Sequence, residues 1–172
     1  MCDHHAPETF SRRAFAGLAT GAAGLALMPL RAYASGTVEA MGVTCIDYRL
    51  VDDAVNFFAK LGLANEYDTL SLAGASLAAV SPKFPKANAA FWDQLAIAKE
   101  LHHIKKVIFV DHRDCGAYKV AFGDNYAGGH NAETAQHKTV MEAAKTALLQ
   151  MHPDLAAEFY LMALDGKAER IL

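Results

Sequence analysis

"VIFVDHRDCGAYK", residues 107–119, sets an apolar run against His112, Asp114 and Cys115, with Gly116 close behind. Val107, Ile108, Phe109 and Val110 read as a strand covered on both faces, the kind found inside parallel sheets. Such a strand delivers an imidazole and a thiol, three positions apart, to its carboxyl end. His-x-x-Cys alone is a weak signal, because a cysteine at a strand end is usually a small buried hydrophobe. Its weight depends on what the rest of the chain brings to the same place.

Three further stretches read as strands: "GVTCI" at 42–46, "TLSLA" at 69–73 and "FYLMAL" at 159–164, with the central one running from Lys106 to Val110. Between them, 51–63, 88–104 and 131–151 repeat apolar residues at three and four, as amphipathic helices do. Phe91, Leu95, Ala98 and Leu101 or His102 form one stripe in the second, and Pro153 stops the third at Met151 or His152. Residues 122–133 read as a loop leading into a helix start. The alternation predicts an α/β fold, a mainly parallel β-sheet flanked by helices.

In open α/β sheets ligands bind beyond the carboxyl ends of the strands, and a second strand also ends in reactive residues. The first delivers Cys45-Ile46-Asp47-Tyr48-Arg49. If the two strands are neighbours, Cys45, His112 and Cys115 meet at one point. Two thiolates and an imidazole suit Zn²⁺, and three protein ligands leave a fourth tetrahedral position for water, as catalytic zinc requires. Two plainer readings stand beside this one: a Cys45–Cys115 disulfide, and an exposed Asp47–Arg49 ion pair of little energetic weight.

The 172-residue chain is 53% hydrophobic and 20% charged, enough to bury a core, with a formal charge of −3. No basic stripe marks a nucleic-acid partner, and a small-molecule substrate is expected. Three cysteines are too few and too scattered for a disulfide framework. Residues 1–34 read as a signal peptide: Arg12-Arg13, an apolar run from Ala16 to Leu30, then Ala32-Tyr33-Ala34 before the cut. Ser11-Arg12-Arg13-Ala14-Phe15 resembles a twin-arginine motif, which implies export of a folded protein to the periplasm. Residues 35–172 are then a single zinc-binding α/β domain, with no stable membrane insertion expected.

Cys-x-Asp-x-Arg followed by His-x-x-Cys-Gly, here "CIDYR" and "HRDCGA", resembles the β-class carbonic anhydrases. The resemblance implies that Cys45, His112 and Cys115 hold zinc, that Asp47 accepts a hydrogen bond from the water that zinc activates, and that Arg49 holds Asp47. It implies reversible hydration of CO₂ to bicarbonate, in a homodimer or a dimer of dimers with the site near the subunit interface. Ser71, Ala73 and Gly74, on the loop after the second strand, and Gly116 are the implied substrate-pocket residues. The family's Arg-Asn-Ala-Gly loop is replaced by Ser71-Leu72-Ala73-Gly74-Ala75, and little chain precedes the first strand to form its N-terminal arm. Those departures leave two alternatives on the same site. One is hydrolysis of carbonyl sulfide or carbon disulfide in a more apolar pocket, for which Leu72, Phe84 and Tyr118 are candidate lining, though core packing is the commoner use of each. The other is a non-catalytic zinc-binding or redox protein. His130 and Asp114 are candidate proton shuttles.

Overall fold

The computed structural model describes residues 36–123 and 129–172; the expected signal peptide and the middle of the 122–133 loop lie outside the described residues. The chain runs β1 (Ala40–Thr44), a 3₁₀ turn (Tyr48–Leu50), α1 (Val51–Lys60), β2 (Tyr67–Ser71), α2 (Ser76–Val80) and α3 (Pro85–His102). It continues through β3 (Lys106–His112), α4 (Gly116–Phe122), α5 (His130–Met151), β4 (Ala156–Met162) and β5 (Ala168–Arg170). The five strands are ordered β2-β1-β3-β4-β5, all parallel except β5, which pairs antiparallel with β4.

That order decides where chemistry can happen. The chain leaves β1 toward β2 on one side, then returns to place β3 on β1's other side. The crevice at the carboxyl ends of β1 and β3 is therefore the topological switch point, where open α/β sheets bind ligands. Thr44 pairs with Val110, so the chain leaves the sheet at Cys45 while β3 runs on two residues to His112.

Both faces of the sheet are covered, which is why its inner strands read as unbroken apolar runs. On one face Met41, Val43, Val107, Phe109, Phe159 and Leu161 meet Phe91, Leu95 and Ala98 of α3 and Met141, Ala144 and Leu148 of α5. The rings of Phe109 and Phe159 stack at 4.8 Å. On the other face Ile108, Val110, Tyr160 and Met162 meet Leu50 and Phe58 at α1. A Cβ at Gly42 would lie 2.5 Å from the Phe58 ring and 2.8 Å from Tyr67, so the absence of a side chain there lets those two rings stack beneath α1. Strand alternation then fixes two polar residues. Asp111 follows Phe109 toward α5, and His112 follows Val110 toward the α1 side.

The stripe on α3 is buried at Phe91, Leu95 and Ala98, while Leu101 is exposed and His102 instead pairs with Asp68 of β2 at 2.8 Å. The third predicted helix ends at Met151, ahead of Pro153, and begins at His130 inside the stretch read as loop. Among the described residues no helix is long and apolar enough to cross a membrane.

Candidate metal centre

Three elements deliver three side chains able to bind a metal ion. Cys45 lies one residue beyond β1, His112 is the last residue of β3, and Cys115 caps the start of α4. Their ligand atoms all lie within 4.8 Å of one another. The two sulfurs are 3.8 Å apart. Two thiolates about 2.3 Å from one tetrahedral zinc would stand about 3.8 Å from each other, so the sulfur pair is already at the spacing of that ion.

The protonation pattern fits the same occupant. His112 Nδ1 donates to the Arg113 carbonyl at 2.8 Å, which leaves the lone pair on Nε2. Nε2 is the one buried side-chain nitrogen or oxygen among the described residues without a hydrogen-bond partner. An unsatisfied buried ring nitrogen is costly, and a metal ion would satisfy it. Cys45 is pulled far below the ordinary thiol range, first by its hydrogen bond with Cys115 and then, against its burial, by His112 and the Gly74 N–H at 3.3 Å. The same sulfur contact, together with burial, pushes Cys115 up. One proton shared between two sulfurs is what a divalent cation displaces on binding. Burial works against a charged His112, yet the thiolate of Cys45 outweighs it and raises the imidazole. The sulfurs are free thiols at 3.8 Å, and a disulfide would require them to close to about 2 Å.

Asp47 stands over this group with Oδ2 3.7 Å from His112 Nε2. Arg49 grips it three ways: its backbone N–H and Nε both donate to Oδ1 at 3.0 Å, and Nη2 donates to Oδ2 at 2.8 Å. That fork holds the Asp47 carboxyl down at about 2. Arg49 in turn reaches Asp114, with Nη1 on Oδ2 at 3.0 Å and Nη2 on the carbonyl at 3.2 Å, while Lys119 takes the other Asp114 oxygen. The ion pair is part of a chain of charges that starts beside the Cys45, His112 and Cys115 cluster.

Beside Cys45 opens a cavity of about 310 Å³ lined by Ile46, Asp47, Ala73, Phe84, Gly116, Ala117 and Val120. Of the expected pocket residues, Ala73 and Gly116 lie on its wall. Gly74 instead aims its N–H at the Cys45 sulfur, and Ser71 bonds Thr44 at 2.9 Å and lines a separate cavity under α1. Phe84 reaches the pocket, but Leu72 packs into the main core and Tyr118 is fully buried on Asp111. His130 is exposed at the start of α5. The network that Asp111 makes with Ser76, Tyr118 and His137 was not foreseen, because an aspartate inside an apolar strand matches no motif.

A family model described as "putative carbonic anhydrase" matches residues 36–159. An uncharacterized protein of Rickettsia conorii is 37% identical over 129 residues, covering 75% of this chain and 69% of its own length. Another from Rickettsia bellii is 36% identical over 129 residues, covering 75% and 79%. Among solved structures, a tetrameric β-carbonic anhydrase from Sordaria macrospora superposes with a TM-score of 0.50 at 16% identity, over 79% of this chain and 81% of that one. A mutant of the β-carbonic anhydrase CafD of Aspergillus fumigatus gives 0.50 at 11%, over 78% and 90%. These last two speak for the fold alone. With the family model spanning most of the chain and the β2-β1-β3-β4-β5 sheet beneath the Cys-His-Cys group, the chain belongs to the carbonic anhydrase family, as a divergent member with the β-class fold.

Proposed function

We propose that this protein is a zinc enzyme that hydrates CO₂ reversibly to bicarbonate, with the metal held by Cys45, His112 and Cys115. The observation that carries the reading is the convergence of those three atoms within 4.8 Å beside a carboxylate whose two oxygens both accept from Arg49. Zinc, when bound, supplies a Lewis acid that brings the pKa of water down to about 7, so that a nucleophile for CO₂ exists near neutral pH.

The chain's own residues do the rest. Both Asp47 oxygens are engaged by Arg49, which leaves Oδ2 one lone pair facing the reaction space. Asp47 therefore serves as the acceptor that orients the attacking water, and Arg49 keeps it from becoming a fourth ligand. CO₂ has no proton to donate and needs no polar cradle, so walls made by Ile46, Ala73, Phe84, Ala117 and Val120 suit it. Those apolar walls equally favour a second reading, hydrolysis of carbonyl sulfide or carbon disulfide, which are also linear and have no proton to donate.

A homodimer fits the surface around the site. Ile46, Tyr48, Val51, Val55 and Val120 are all more than half exposed, on the loop, the α1 face and the α4 face that flank the pocket and its neighbour under α1. A second copy would cover them. A periplasmic location is supported by the twin-arginine-like sequence at Ser11–Phe15, and folding before export would let the thiols take up metal while still reduced.

Metal analysis and substrate comparison test the assignment together. The full chain, purified under reducing conditions, is expected to carry one zinc, to lose it in His112→Ala, and to turn over CO₂ faster than carbonyl sulfide or carbon disulfide. Faster turnover of either sulfur compound would install the second reading, and zinc with no turnover of any would leave a binding protein.

A further inference from the structure

A cluster of buried polar side chains lies behind the ligands and has no part in the chemistry so far. Asp111 is 1% exposed, and Ser76, Tyr118 and His137 are fully buried. The Asp111 carboxylate takes the Ser76 N–H on Oδ1 at 2.9 Å. On Oδ2 it takes the Ser76 hydroxyl at 2.6 Å, the Tyr118 hydroxyl at 2.6 Å and His137 Nδ1 at 3.0 Å. The Tyr118 and His137 rings pack at 3.8 Å.

A buried carboxylate is a poor means of holding apolar layers together, since well-packed hydrophobic residues of the same volume do as well or better. Four directional bonds supply something packing does not, a fixed register between segments. The segments in question are those that carry the ligands. Asp111 immediately precedes His112. Tyr118 sits one helical turn after Cys115 on α4. Ser76 follows the Gly74-Ala75 turn, whose first residue donates its N–H to Cys45 Sγ. That turn is strained: Gly74 has φ +82 and Ala75, with a side chain, has φ +46. A backbone in that region persists only where its surroundings over-determine it, and the two Ser76 bonds to Asp111 do so. His137 closes the set from α5.

We propose that Asp111 is a positioning residue of the metal centre, tying the three ligand-bearing segments to one another through Ser76, Tyr118 and His137 so that the ligand atoms are set before a metal arrives. Outer partners of this kind typically change metal affinity by about 10–100-fold when removed.

The test uses the full chain, kept reduced, with two variants that each delete one hydroxyl from the network: Tyr118→Phe and Ser76→Ala. Zinc affinity is measured by competition with a chromophoric chelator, and the cobalt(II)-loaded proteins are compared by their d–d absorption bands. About 10–100-fold weaker zinc binding with displaced or broadened cobalt bands is expected. A change of this kind in either folded variant supports the role, and if one fails to fold the other decides. Zinc affinities within about threefold of the unsubstituted chain and unchanged cobalt bands would overturn it, whatever happens to the melting temperature. The proposal rests on the zinc reading, and the unsubstituted chain separates the two. If it binds no zinc, the metal centre itself is wrong; if it binds zinc and the variants match it, only the role of Asp111 is wrong.

Discussion

Arg49 uses its side chain to join two carboxylates, Asp47 over the ligands and Asp114 between them. Both contacts are forked, which a guanidinium can make and an ammonium cannot. Arg49→Ala is therefore expected to lower CO₂ hydration by roughly 10–100-fold while zinc content stays at one per chain, and Arg49→Lys to recover little of it. Stopped-flow hydration with parallel metal analysis checks both; full activity in Arg49→Ala would remove Arg49 from the account. That Cys45, His112 and Cys115 would meet, with the Asp47–Arg49 pair beside them, was legible in the sequence because their spacing within two short motifs is itself the signal. Asp111 was not, since nothing about one acidic residue in "VIFVDH" tells a reader that Ser76, Tyr118 and His137 come to meet it. Tyr118 packs in the core, the commoner use of such a residue, but its bond to Asp111 had no signal: an aromatic after Gly116 looks the same whether it faces the pocket or the sheet.

β1 to β4 and three long helices were legible because their apolar periods run for a turn or more of helix or several residues of strand. α2, with five residues, and α4, with seven, are too short to show a period, and β5, with three, is recognised only by its pairing to β4. β1 ends at Thr44 rather than past Cys45, so the ligand belongs to the loop, free to turn toward His112. Pairing between elements also carries a pH dependence. On β4, Glu158 is a carboxylate whose burial favours the neutral acid, yet the Tyr160 hydroxyl at 2.8 Å and Lys106 of β3 at 3.1 Å bring its pKa below the usual 4.5. A depressed folded-state pKa means stability that is present above about pH 4.5 and is lost as pH falls through the lowered value. The urea midpoint of Glu158→Gln is expected to lie below that of the parent at pH 7 and to converge with it near pH 3. A gap that persists unchanged at pH 3 would show that the ion pair is not its source.

Taken together, the chain closes one face of its sheet with α2, α3 and α5 and covers the other with α1, leaving apolar residues around the mouth of the ligand group. Val55 is 57% exposed on α1, so a charge there disturbs no core of its own subunit. Val55→Lys is expected to shift the protein from dimer to monomer in sedimentation velocity with its melting temperature otherwise governed by the same core. A dimer unaffected by the change would move the interface elsewhere. The decisive measurement is CO₂ hydration across pH 6 to 9 on full-length protein of known zinc content. A rate proportional to zinc, rising with an apparent pKa of about 7 and abolished by Cys45→Ser, is expected. Full zinc occupancy with no hydration at any pH would contradict it.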